Sequence, residues 1–152
     1  MSVFISYGGP DEEIAGQISH ALTKKGVRTW FFPKDAIPGE KLHRTMFNGV
    51  NEHDRFLLVC SRASLSRPGV LNEIERVLER EGREGGTSRL LPITLDKHVF
   101  SDWAPSRPDL AQQVRDRVIC DFTEAAGEGW SFHDKIDQLA RALERNPNSP
   151  AT

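Results

Sequence analysis

The chain has 152 residues, 38% of them hydrophobic and 28% charged, which suits one soluble domain with a single sizeable core. Its net charge of -2 gives no electrostatic reason to expect nucleic acid or an anionic membrane as the main partner. No window approaches the ~18 apolar residues of a membrane span, and no basic-then-apolar leader is present.

Val3-Phe4-Ile5 reads as a buried strand breaking off in Ser6-Tyr7-Gly8-Gly9-Pro10-Asp11, and from so early a strand no preceding domain is expected. Residues 11–25 then set Ile14, Ile18, Ala21 and Leu22 at helical spacing, with Pro10 suited to the first turn and Gly26 to the stop. Arg28–Phe32 reads as a second strand, followed by the loop 33–39 and a helix at about 40–51 carrying Leu42, Met46, Phe47 and Val50. Arg55–Cys60 is an unbroken apolar run of the kind buried on both faces.

A helix over 68–83 presents Val70, Leu71, Ile74, Val77 and Leu78. Arg89–Leu95 is a fourth strand, Asp109–Arg115 a short helix, Val118–Asp121 a weak fifth strand and Ser131–Leu143 a closing helix. Residues 1–145 are thus read as the domain and 146–152 as a linker-like tail, after which a sensor domain could follow. Strands alternating with helices predict a three-layer α/β domain, flavodoxin-like, with a five-stranded parallel sheet in the order 2-1-3-4-5. Ligands of such sheets bind at the carboxyl edge, at the switch point between strands one and three.

Function must come from the residues at that edge. A dinucleotide-binding G-x-G-x-x-G is absent, and Asp11, Glu12 and Glu13 would repel a phosphate at the first helix N-terminus. There is no GK[ST] for a P-loop, and the third strand ends Val59-Cys60-Ser61, without a receiver's acceptor aspartate. Cys60 and Cys120 are too few for a disulfide scaffold and read as thiols in a reducing cytoplasm. The five histidines are scattered without metal-ligand spacing, so no metal site is expected.

Phe4-Ile5-Ser6-Tyr7, then Trp30 and Lys34-Asp35-Ala36-Ile37-Pro38-Gly39, then Leu57–Ser61 ahead of a helix bearing Glu73, resembles a TIR (Toll/interleukin-1 receptor) domain of the bacterial type. The first segment looks like the family's F-I-S-Y box and the second like its BB loop, [RK]-D-x-x-P-G. Order and spacing carry the match, from Ser2 to about Leu143.

The resemblance implies either a protein-interaction module or an enzyme that hydrolyses NAD+ at the nicotinamide–ribose bond, as a bacterial antiphage immune or signalling effector. Glu73 matches the catalytic glutamate, and NAD+ is then a substrate, with no cofactor and no metal. Ser6, Tyr7, Gly8, Gly9, Trp30, Lys34 and Asp35 are the expected substrate-binding residues. Several also have a plainer reading: Glu73 as a solvated carboxylate, Trp30 and Tyr7 as core, Ser6 satisfying its own turn, and Gly8-Gly9 as a tight turn. Lys34 and Asp35 would gate the pocket, and TIR–TIR contacts through the 33–39 loop would assemble the active form.

Two departures stand out. Enzymatic relatives often carry a tryptophan four residues before the glutamate, where this chain has Gly69. Some have arginines after the F-I-S-Y box, where Gly8-Gly9 stands, leaving Lys34, Arg62 or Arg67 to supply positive charge. The rival from another class is a TIR–TIR scaffold without catalysis; a third reading binds the nucleotide without cleaving it.

Overall fold

The computed structural model describes residues 1–124 and 129–145. Five parallel strands form one sheet in the order β2-β1-β3-β4-β5, with β1 at Ser2–Ser6, β2 at Arg28–Trp30, β3 at Arg55–Cys60, β4 at Leu90–Thr94 and β5 at Cys120–Asp121. The expected flavodoxin-like order holds. All six residues of β3 are buried, as an apolar run covered on both faces requires.

The two-residue period of the strands sorts their side chains into two cores. Val3, Ile5, Leu57 and Val59 face α1 (Glu12–Lys24) and α8 (Trp130–Glu144), meeting Ile18, Leu22, Ile136 and Leu139. Phe4, Phe56, Leu58 and Cys60 face the other way, with Val50 of α3 (Leu42–Glu52), Ile74 and Val77 of α5 (Val70–Arg83), and Leu110 and Val114 of α7 (Pro108–Arg115). Ser6 shares the parity of Phe4, so it points toward α5.

Several boundaries differ from the sequence reading. The second strand stops at Trp30, because Phe32–Asp35 turns into a short helix, α2. Pro33 suits its first turn, and the Asp35 carboxylate accepts the Phe31 backbone N–H at 2.8 Å, closing the turn from below. Two further single-turn helices lie in segments read as irregular: α4 (Arg62–Leu65), capped by the Ser61 hydroxyl on Ser64 N–H at 2.9 Å, and α6 (His98–Ser101). α5 starts at Val70 rather than Pro68, because Gly69 at φ 85° breaks the helical path. The fifth strand loses Val118 and Ile119, of which Val118 is 95% exposed. The tail at 146–152 lies outside the described residues.

Candidate active site

The sheet order reverses direction at β1 and β3, and a cavity of about 560 Å³ opens beside their carboxyl ends. Phe4, Ile5 and Tyr7 of the first strand and its turn, Trp30 and Phe32, and Leu42, His43 and Met46 of α3 line one part. Arg67, Pro68, Gly69, Asn72, Glu73 and Arg76 line the other.

Glu73 sits in the first turn of α5 and is 6% exposed. The buried residues of that helix are Val70, Glu73, Ile74, Val77 and Glu81, so the carboxylate lies within the inward stripe. A buried carboxylate needs partners, and three polar contacts supply them. The Ser6 hydroxyl donates to Oε1 at 2.9 Å. The Arg67 guanidinium donates to Oε2 through Nη1 and to Oε1 through Nη2, the latter at 3.3 Å. Arg67 Nη2 also donates to the Ser6 hydroxyl oxygen. Serine, arginine and glutamate thus form a closed triangle from β1, the α4–α5 turn and α5.

Tyr7 lies on the same cavity, its ring 5.5 Å from that of Phe31 and its hydroxyl donating to Glu12 Oε1 at 3.2 Å. Burial first, and the Glu12 carboxylate second, push the phenol well above its ordinary range, so it remains a donor. Trp30 stacks on Phe4 at 4.9 Å with an 18° interplanar angle and meets Phe32 edge-on at 6.2 Å. Half-buried, it shows part of its surface to the cavity.

Gly8 and Gly9 separate. Gly9 lines the cavity. Gly8 turns away: its N–H donates to Ser64 Oγ at 2.8 Å, and a Cβ there would stand 3.0 Å from Ser64 Cα. Its close approach is to the backbone of α4. Beneath that turn, Asp11 Oδ2 accepts from the hydroxyls of both Ser61 and Ser64, the latter at 2.5 Å.

Lys34 and Asp35 also stand apart from Glu73's cavity. Lys34 Nζ donates to the Thr29 carbonyl at 3.0 Å and pairs with Asp35 at 2.7 Å, and both residues border a second cavity along the outer edge of β2, with Ser2 and His53. Of the three cations considered from sequence, Arg67 reaches Glu73, whereas Arg62 pairs with Asp102 on the surface. Phe32, Leu42, His43, Asn72 and Arg76 were not anticipated as lining residues. For Leu42 and Met46 the signal was present but read as core, since a stripe spaced by four residues fits a rim as well as an interior. Leu42 is in fact 62% exposed.

This is a flavodoxin-like α/β domain with an ion-paired carboxylate set into the cleft at its switch point. The family model for the TIR domain matches residues 3–146, and the chain belongs to that family. Comparison with curated protein sequences gives no match. Among solved structures, the chain is similar to a metazoan TIR-STING receptor from C. gigas, determined with 2',3'-cGAMP (TM-score 0.68, 19% identity, 95% of this chain), and it spans 39% of that receptor's length. It is similar to the TIR domains of the activated Roq1 resistosome that recognises the pathogen effector XopQ (TM-score 0.70, 19% identity), covering 93% of this chain and 98% of that one. A prokaryotic SEFIR domain also aligns (TM-score 0.59, 18% identity, 99% and 97% of the two chains). At these identities the likeness is one of fold. No helix among the described residues is long and apolar enough to cross a membrane.

Proposed function

We propose that this TIR domain is an NAD+ glycohydrolase, a bacterial antiphage immune or signalling effector, with Glu73 as its catalytic residue. The observation that carries the reading is a carboxylate 6% exposed yet facing the cavity at the switch point. Its volume of about 560 Å³ lies in the range of small-molecule sites, roughly 300–1,000 Å³.

The chemistry asks for little else. When the bond between nicotinamide nitrogen and ribose C1' breaks, its electron pair leaves with nicotinamide, which departs neutral and needs no general acid. Positive charge develops on the ribosyl ring, as in glycoside hydrolysis, and the Glu73 carboxylate stabilises it. Water adding at C1' and losing a proton gives ADP-ribose; capture by an adenine nitrogen gives a cyclic ADP-ribose. The exposed part of Trp30 offers a face on which a flat heteroaromatic ring can stack. Ser6 holds the carboxylate's orientation. Both cysteines are free, in keeping with a reducing cytoplasm.

Nicotinamide release from NAD+ by concentrated protein, lost in Glu73→Gln, is the expected result. An inert wild type at all concentrations, or a Glu73→Gln variant as active as wild type, would sink the reading.

Exposed apolar side chains at Ile37 (68%) and Leu42, beside Pro38-Gly39, favour self-association through the 33–39 loop. They also support the scaffold alternative, in which the loop binds other TIR domains and no bond is broken. In that case Pro38→His abolishes association, Glu73→Gln changes nothing, and no nicotinamide appears. Saturable NAD+ binding without product would instead indicate a nucleotide-binding module.

A further inference from the structure

We infer that Arg67 is a latch that holds the Glu73 carboxylate neutralised until the arginine swings away. This rests on the glycohydrolase reading and adds to it a control residue. Both carboxylate oxygens are occupied in the structure: Oε2 by Arg67 Nη1, and Oε1 by Ser6 and Arg67 Nη2. A carboxylate whose charge is met by a guanidinium fork has little left for a developing ribosyl cation. The closed triangle is therefore a silent state of the site.

The two partners differ in how firmly they are held. Glu73 belongs to α5, whose neighbouring Val70, Ile74 and Val77 are buried in the core. Arg67 hangs from the turn between α4 and α5, where Ser66, Pro68 and Gly69 are all exposed and Gly69 adopts the left-handed φ of 85°. Nothing lies within 4 Å of where a Gly69 side chain would start, so this turn has open space beside it. Arg67 is thus the member that can leave. Its Nε, moreover, is buried without a hydrogen-bond partner among the described residues, which weakens the closed arrangement.

If the open form is a minor state of about 0.1–10%, freeing Glu73 raises the rate by the reciprocal of that fraction, about 10- to 1,000-fold. The experiment compares nicotinamide release by dilute wild type, Arg67→Gln and Arg67→Lys. The lysine variant keeps the charge but lacks the fork, guarding against a glutamine variant that does not fold. Arg67→Gln is expected to be at least about tenfold faster than dilute wild type, and Arg67→Lys intermediate. NAD+ affinity is measured in parallel in Glu73→Ala with and without Arg67→Gln; a latch acts only through Glu73, so the two affinities should match. Slower turnover in both variants, or a drop in affinity on the Glu73→Ala background, overturns the latch and makes Arg67 a direct substrate contact. If concentrated wild type releases nicotinamide through Glu73 but neither variant gains, the latch alone fails. If no form releases nicotinamide, the glycohydrolase reading fails and the latch with it.

Discussion

The hydroxyl of Ser6, at the end of β1, donates to Glu73 Oε1 at 2.9 Å across 67 residues of sequence. The bond ties the switch-point strand to the helix that carries the carboxylate, and Arg67 closes it into a triangle. Ser6→Ala removes one hydroxyl and leaves the guanidinium fork in place. The expected loss is about 1–2 kcal/mol of stability, read as a lower urea midpoint with an unchanged slope. An unchanged midpoint would mean that Ser6 holds nothing.

A second buried carboxylate lies on the same helix, at its far end. Glu81 accepts the Arg89 and Leu90 backbone N–H groups at 2.6 and 2.8 Å and pairs with Arg117 at 2.6 Å, locking α5 to the start of β4. Glu81→Ala leaves Arg117 and two backbone donors without this partner. It should cost roughly 3–5 kcal/mol, more than Ser6→Ala. Denaturant unfolding of the two variants side by side tests the ranking, and equal losses would refute it.

Gly49 of α3 has no room for a methyl group. A Cβ there would stand 2.2 Å from the Phe4 ring, which is itself stacked between Trp30 and Phe56 at 4.9 and 5.6 Å. Alanine gains roughly 0.8–1 kcal/mol of helix propensity over glycine, but overpacking a ring with no free side costs about 1–3 kcal/mol. Gly49→Ala should therefore lower Tm and change Trp30 fluorescence, since Trp30 rests on Phe4. A raised Tm would show that α3 can move outward at little cost.

These cases mark what could be read from the chain alone. The apolar run Phe56–Cys60 within the strand Arg55–Cys60 announced a central strand, because burial on both faces calls for apolar side chains at successive positions. The F-I-S-Y and 33–39 segments led to the family, and through it to Glu73. Lys34 and Asp35 were another matter. Their motif was legible, yet a helical turn at Phe32–Asp35 folds both back along β2, away from the cavity. That turn depends on a capping bond that the Phe31 N–H donates to the Asp35 carboxylate, a contact between groups four residues apart that hydrophobic periodicity does not report. Arg67 was one of three candidate cations. Which one meets Glu73 depends on the direction of the α4–α5 turn, set by Gly69, and no spacing rule encodes that direction. Gly8 and Gly9 looked equivalent in sequence, and only the backbone of α4 separates them.

The last prediction concerns acid. Asp54 accepts the Ser2 backbone N–H at 2.7 Å, pinning the start of β1 to the turn before β3. That hydrogen bond, ahead of all other influences, holds its carboxyl below the ordinary range. A depressed carboxylate stabilises the fold at pH values above its unfolded pKa, about 3.9. The stabilisation is lost as pH falls through the lower folded value, because the unfolded chain then takes up the proton first. Asp54→Asn should thus be less stable than wild type at neutral pH, and the two should converge as the pH drops below that range. Asparagine keeps the shape and an acceptor oxygen, so the difference measures the charge on the bond. Thermal unfolding of both proteins across an acid series checks it. A gap that stays constant to the lowest pH would show that the Ser2 contact owes nothing to ionisation.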